Sequence, residues 1–278
     1  MTNRKYSIII PTYNRAYILW KALLSVTKQT YYNWEAIIVD DGSTDDTYKQ
    51  VKEFKEVRFK YIYQNNSGPC VARNVALEKA EGEFICYLDS DDEFREDYLY
   101  YINEHLSFNQ LVKFGICNQN VRWELYDKSY NIISYAQESS SFGDDVKLDH
   151  LVQRTKRFNC GGLFHINSPK ITWEPKVKHM HDWELLLRLA SMFPKGFHYI
   201  PLSLYKYYSR YGKDGRCANV TYRDWQNCYK TIWKLHKKSF VRPSDDWFKN
   251  KIKKYDLLIS KSHGKDVKHR INKIFTNT

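Results

Sequence analysis

Val39-Asp40-Asp41-Gly42-Ser43 and Leu88-Asp89-Ser90-Asp91-Asp92 each close an apolar run, Ala36-Ile37-Ile38-Val39 in one case and Phe84-Ile85-Cys86-Tyr87-Leu88 in the other. Short apolar runs bounded by turn residues read as buried strands of an α/β protein. In an open α/β sheet, ligands bind just beyond the carboxyl ends of the strands. Carboxylates gathered at such an edge repel one another unless a cation or hydrogen-bond donors come between them. A divalent metal with a diphosphate, plus a nucleoside offering N–H and O–H donors, meets that need. The plainer reading makes each string a polar surface turn, with Ser43 and Asp46 forming a helix capping box. Two such strings on strands of one βα array weigh against it.

Outward from these strings, the first hundred residues alternate strand and helix signals. Tyr6-Ser7-Ile8-Ile9-Ile10 reads as a strand, followed by the turn Pro11-Thr12-Tyr13-Asn14 and a helix over 16–29 with Ile18, Leu19, Ala22, Leu23 and Val26 on one face. A strand at 36–39, a helix over 44–54, a strand at 59–63, a helix ending at Ala80 and a strand at 84–88 complete the array. That order predicts a mostly parallel sheet with flanking helices and right-handed crossovers. Beyond Asp92 the pattern predicts a helix over 96–108, a strand over 112–117, an irregular stretch over 119–145 with a mobile loop at 137–141, and a helix over 181–192. Two short strands, 197–200 and 203–207, flank Pro201. The last section is helical: Trp225, Tyr229, Ile232, Trp233 and His236 form one stripe, and Phe248, Ile252, Tyr255, Leu258 and Ile259 another. Such stripes are more often docking faces against the body than membrane anchors.

The chain has 278 residues, 42% of them apolar and 16% aromatic, which predicts a folded protein. No apolar stretch approaches the ~20 residues that span a bilayer, and residues 1–5 lack a signal-peptide apolar region, so the expected location is cytoplasmic. Six dispersed cysteines, Cys70, Cys86, Cys117, Cys160, Cys217 and Cys228, contain no C-x-x-C pair and read as reduced thiols and not zinc ligands. The net charge of +12 is uneven: residues 223–278 hold 15 Lys/Arg against 5 Asp, or +10, leaving +2 for the first 222. Basicity is therefore a C-terminal property, suited to an anionic surface or acidic glycan.

These strings also carry a resemblance. Ile8-Ile9-Ile10-Pro11-Thr12-Tyr13-Asn14-Arg15, Val39-Asp40-Asp41-Gly42-Ser43-Thr44-Asp45, Asn65-Asn66-Ser67-Gly68-Pro69 leading to Ala72-Arg73-Asn74, and Gly82-Glu83-Phe84-Ile85 leading to Asp89-Ser90-Asp91-Asp92 resemble family 2 glycosyltransferases of the GT-A fold. The likeness is dense over 6–100, thinner over 160–210, and does not extend to the C-terminal helices. It implies a GT-A type α/β fold, a Rossmann-like mostly parallel sheet with flanking helices, to which the stripes of the last section add a C-terminal helical extension. It also implies a nucleotide-sugar-binding half over 1–110 and an acceptor-binding half over 111–222, and the charge count leaves a basic extension over 223–278.

By the same resemblance, Thr12 and Asp41 would contact the nucleotide base, Arg73 would offset phosphates and nearby carboxylates, and Asp89 would lie beside the ribose. Asp91 would bind Mn²⁺ or Mg²⁺, with Asp40 and Asp92 as supporting neighbours. The metal offsets charge developing on the leaving nucleoside diphosphate. The general base matches Asp182 in His181-Asp182-Trp183-Glu184-Leu185, where His181 replaces the family's usual glutamate. A carboxylate of ordinary pKa, about 4, serves as base when proton transfer is late. Gly161 and Gly162, with His181 and Trp183, fall where such enzymes line the acceptor pocket, although a tight bend accounts for the glycines equally well. Trp173 and Trp183 could each stack on a sugar or pack a core.

The expected activity is thus inverting, metal-dependent transfer of a sugar, in UDP-sugar form by family habit, to a glycan or lipid-linked glycan. Peripheral contact of 223–278 with the inner membrane face goes with it. Two other classes compete with it. A catalytically silent GT-A-like binding protein draws on His181 alone. A nucleic-acid-binding protein draws on the basic C-terminus, which lacks a recognised binding motif, so no nucleic-acid partner is expected. Neither G-x-G-x-x-G nor G-x-x-x-x-G-K-[ST] occurs, which disfavours dehydrogenase and P-loop chemistry.

Overall fold

A computed structural model describes residues 2–126, 132–138, 146–154, 160–211, 220–239 and 242–261. In its first part β1 (Tyr6–Thr12), α1 (Leu19–Thr27), β2 (Trp34–Asp40), α2 (Thr47–Glu53), β3 (Phe59–Tyr63), α3 (Pro69–Lys79) and β4 (Phe84–Tyr87) alternate as the hydrophobic pattern predicts. The four strands lie side by side and parallel in the order β3-β2-β1-β4. Period-two alternation then divides the core. Ile9, Ile37, Val39, Ile85 and Tyr87 face one layer, with Ala72, Ala76 and Leu77 of α3. Tyr6, Ile8, Ile10, Ala36, Ile38 and Cys86 face the other, with Leu19, Ala22, Leu23 and Val26 of α1.

The second part continues the same sheet with mixed direction. β5 (Glu93–Phe94), α4 (Tyr98–Phe108), β6 (Phe114–Tyr126), β7 (Ile132–Glu138), α5 (Leu148–Val152), β8 (Leu163–Ile166), α6 (His181–Met192) and β9 (Phe197–Tyr211) extend the order to β4-β8-β6-β9-β5. β8 is antiparallel to both β4 and β6, whereas β6 and β9 run parallel. The fold is of the α/β GT-A type, with two C-terminal helices, α7 (Tyr222–His236) and α8 (Asp245–Lys261), packed on the α6 side through Tyr229, Ile232 and Phe248.

Three sequence expectations are corrected. The stretch 119–145 is not irregular throughout: β6 runs on to Tyr126 and pairs antiparallel with β7, and the expected mobile loop at 137–141 begins within β7, its remainder lying outside the described residues. The two short strands around Pro201 are one strand, β9, whose register against β6 shifts between Cys117 and Gln119. A proline lacks the ladder N–H, and a bulge lets the strand pass it. Ser43 and Asp46 do not cap α2, whose N-cap Asp46 makes no side-chain capping bond. Ser43 instead donates its N–H to Asp40 Oδ1 at 2.8 Å and accepts the Asn14 N–H on its Oγ at 2.8 Å. The five described cysteines, Cys70, Cys86, Cys117, Cys160 and Cys228, are buried free thiols; Cys217 lies outside the described residues. Among the described residues no helix is long and apolar enough to cross a membrane.

Candidate active site

The register of the parallel strands sets Thr12 beside Asp40, so the carboxyl ends of β1 and β2 finish level, and the turn after β4 carries the second acidic string. Asp40 is buried and accepts the Tyr61 hydroxyl at 2.6 Å, which makes it a brace between β2 and β3. Asp41 accepts three donors: Gln64 Nε2 at 2.7 Å, Ser67 N at 2.8 Å and Gly68 N at 2.8 Å. Gly68 is the N-cap of α3 and Pro69 its first residue, so Asp41 fixes the loop that launches α3 at the positive end of that helix. Gly42 has φ +87 and a Cβ there would lie 2.8 Å from Asn66 N, so this turn needs glycine. Thr12 is buried too, and its hydroxyl has no hydrogen-bond partner among the described residues.

Arg73 lies on the buried stripe of α3 with Ala72, Ala76 and Leu77, and is 0% exposed. Its Nη2 donates to Asp89 Oδ1 at 2.6 Å, its Nη1 lies 3.4 Å from His181 Nε2, and its guanidinium covers the Trp173 ring at 4.5 Å. Burial disfavours the charge, but Cys160 and Asp89 beside it carry the net shift upward, and the arginine stays charged. Cys160 Sγ lies 3.6 Å from Arg73 Nη2 and 3.8 Å from Asp89 Oδ2. Asp92 is buried and accepts the Tyr205 hydroxyl at 2.7 Å and the Tyr208 N–H at 2.8 Å, tying the acidic turn to β9. Burial first, then the charges of Asp91 and Asp89, hold the Asp92 carboxyl well above the usual carboxylate range.

Asp182 sits in the first turn of α6, half-buried, and accepts the Trp183 N–H at 2.8 Å. Its pKa is raised: burial pushes it up, Arg154, the Trp183 N–H and Arg73 pull it down, and Asp89 adds to the rise. The mutual influence of Asp182, Arg73 and Asp89 joins the start of α6 to the end of β4, although nearly a hundred residues separate them in sequence.

The four acceptor-side expectations divide. His181 faces the cluster, edge-on to Trp173 at 5.4 Å between ring centroids. Trp183 is buried away from it, donating its indole N–H to Val152 O at 3.2 Å and packing on Tyr229, Trp247 and Phe248. Gly161 is required by Tyr205, whose ring a Cβ would meet at 2.3 Å, and Gly162 by its φ of +77 and by Cys117 Sγ at 2.7 Å. Trp173 is likewise a core ring, set between Arg73, His181 and Tyr87. Tyr205, Arg154 and Cys160 were missed by the sequence reading. Nothing in the spacing of a tyrosine 113 residues from Asp92 marks the pair.

Among the described residues no group of three or more His, Cys, Asp and Glu side chains is assembled to hold a metal by itself. Asp89 and Asp91 nonetheless offer hard oxygen donors, and a Mg²⁺ or Mn²⁺ ion ordinarily completes its shell with substrate phosphate and water. Burial is the first cause of the raised Asp92 carboxyl, and the charges of Asp91 and Asp89, the second, are what a divalent cation would offset. The donor set fits such an ion shared with a diphosphate.

Residues 7–171 match the model of glycosyl transferase family 2, and the chain belongs to that family. It is 42% identical over 104 residues, 36% of this chain and 41% of the relative, to a Bacillus subtilis protein named as a putative teichuronic acid biosynthesis glycosyltransferase, TuaG. It is 46% identical over 87 residues, 31% of this chain and 34% of the relative, to the Escherichia coli UDP-Glc:alpha-D-GlcNAc-diphosphoundecaprenol beta-1,3-glucosyltransferase WfgD. The matches span a minority of the relatives' own lengths, from 14% to 41%. Among solved structures, Staphylococcus aureus TarS 1-349 in complex with UDP-GlcNAc is similar in fold, with a TM-score of 0.69 and 20% identity over 90% of this chain and 71% of that one. So is the Pyrobaculum calidifontis mannosyltransferase PcManGT in complex with GDP-Man and Mn²⁺, at 0.61 and 17%, covering 100% and 80%.

Proposed function

We propose that the chain transfers a sugar from a nucleoside diphosphate sugar, of the UDP class, to a hydroxyl of a glycan or lipid-linked glycan, inverting the anomeric centre in a single displacement. The observation that carries this reading is the meeting of the Arg73–Asp89 pair, the acidic turn 89–92 and the raised carboxyl of Asp182 beyond the carboxyl end of β4. Family membership and a relative named for transfer from UDP-Glc support it. Thr12 and the loop braced by Asp41 would receive the base, and the Asp89 side of the cluster the ribose. Arg73 has a fixed cation to set against phosphate charge. A divalent ion held by Asp89 and Asp91 would supply charge neutralisation for the leaving diphosphate.

Asp182 would take the proton from the acceptor hydroxyl. Its raised pKa makes it a stronger base than an exposed aspartate. Asp92 and Tyr205 would hold the acidic turn in register, and His181 would border the donor side through Arg73. Trp183 is left out of the acceptor set because its ring is core. Peripheral attachment to the cytoplasmic face of a membrane, through exposed lysines of α7 and α8, completes the proposal.

The test is calorimetric titration of the chain with UDP, GDP, CDP and dTDP, with and without Mn²⁺, alongside Asp91→Ala. Metal-dependent binding of UDP that Asp91→Ala abolishes is expected. Metal-independent binding, or none to any nucleotide, overturns the reading.

A further inference from the structure

Away from the acidic turn, α1 and the β5–β9 edge enclose an open cleft of about 350 Å³, lined by Trp20, Lys21, Lys28, Glu93, Glu96 and Lys206 among others. Three observations set its chemistry. The Trp20 indole is 42% exposed on a helix whose Leu19, Leu23 and Val26 are buried and whose Leu24, half-buried, also lines the cleft. An exposed tryptophan at a cleft mouth offers a flat apolar platform with an N–H at its edge. The Lys21 ammonium stands between two rings, 5.7 Å from the Trp20 centroid and 5.8 Å from that of Tyr208. Among the described residues no carboxylate lies within ion-pair distance of Lys21 or Lys28, whereas Glu93 is engaged by the Tyr208 hydroxyl at 2.7 Å and, loosely, by Lys206 at 3.9 Å.

We propose that this cleft is a binding subsite for a glycan whose sugar rings bear acidic groups. The indole suits the apolar face of a sugar ring, and Lys21 and Lys28 suit its carboxylate or phosphate. Glu93 and Glu96 can accept sugar hydroxyls. Those hydroxyl acceptors and the Trp20 platform, which inorganic polyphosphate has no groups to use, separate this surface from a plain basic patch. Position gives it a use: Glu93 follows Asp92 in the chain, and the Tyr208 N–H that caps Asp92 belongs to the residue whose ring flanks Lys21. A long acidic glycan held here would run along the flank of the proposed transfer site. Only that acceptor role rests on the transferase reading; glycan binding itself does not.

The experiment is calorimetric titration of the full chain with oligogalacturonate, neutral maltodextrin of matching length, inorganic polyphosphate and RNA. Trp20→Ala, Lys21→Ala and wild type are compared, and UDP–Mn²⁺ binding is measured on each. Binding of oligogalacturonate alone, weakened about tenfold by either substitution, supports the subsite. Unchanged UDP binding in both variants excludes misfolding as the cause. Absence of oligogalacturonate binding overturns the proposal. So does equal binding of polyphosphate or RNA with no effect of Trp20→Ala, since charge alone would then be acting. If wild type binds oligogalacturonate at this cleft but no nucleotide, the subsite stands and the transferase reading falls.

Discussion

Arg73 shows how much one side chain can organise: with no solvent exposure it reaches Asp89, His181 and the face of Trp173 at once. A lysine has neither the planar fork nor the stacking surface to do so. Arg73→Lys should therefore weaken nucleotide binding and cost stability of about 1–3 kcal/mol, measured by titration and by denaturant unfolding. Asp182 makes the sharpest residue-level prediction. Asp182→Asn should lower kcat by about 10²–10⁴-fold while leaving nucleotide affinity intact, because a base acts only once acceptor chemistry begins. The base works deprotonated, and burial raises its pKa, so activity should rise with pH on a limb displaced above the ordinary value of 3.8. A limb at or below that value in the pH profile of kcat would assign the step to another group.

At the scale of elements, α6 is held from behind. Glu184, buried two residues after Asp182 and so on the opposite side of α6, accepts Arg188 through both oxygens at 2.7 and 2.8 Å and pairs with His236 Nε2 of α7 at 3.1 Å. Burial pushes the Glu184 pKa up, but the hydrogen bonds from His236 and Arg188 outweigh it and the net shift is downward. Its contribution to stability is thus complete above the ordinary value of 4.5 and is lost as pH falls through the lowered native value. Removing one partner leaves the buried carboxylate short of a donor, so His236→Ala should cost about 1–3 kcal/mol in thermal or denaturant unfolding. It should also lower kcat more than it alters nucleotide affinity, since α7 touches α6 and not the nucleotide side. At the other end of the site, Gly42→Ala would force a side chain into left-handed backbone against Asn66 and loosen the loop that Asp41 braces. Weaker nucleotide binding is the readout there.

Across the whole molecule, Tyr229, Ile232 and Phe248 of α7 and α8 are buried against the α6 layer, with Trp225, Trp233, Ile252 and Tyr255 partly buried beside them, so lysines of these two helices are left on the outer faces. Lys230, Lys234, Lys237 and Lys238 on one side, with Lys249, Lys253 and Lys254 on the other, are exposed. Attachment driven by such lysines is electrostatic and falls off within a Debye length of about 8 Å at 0.15 M salt. The chain should co-sediment with anionic vesicles at low ionic strength and be released by salt. Equal recovery on neutral vesicles would mean that charge is not what holds it. Truncation after Tyr211 should not be neutral either, because it would bare Trp183 and Glu184.

The amino-acid sequence by itself determined the βα array over its first hundred residues, the two acidic turns and the helix that starts at His181. Those features are local: period-two and period-3.6 patterning, turn residues and motif spacing are all written within a few residues. The β6–β7 pairing was less legible, since a hairpin reaching beyond the apolar core gives a weaker signal than a buried strand. Only the tertiary structure decided that Arg73 meets Asp89 and His181, that Tyr205 holds Asp92, that Trp183 and the paired glycines serve packing, and that Asp182 has a raised pKa. The reason is physical. Burial and charge act through space, and the pairs concerned stand up to 113 residues apart, where no sequence interval records that they touch.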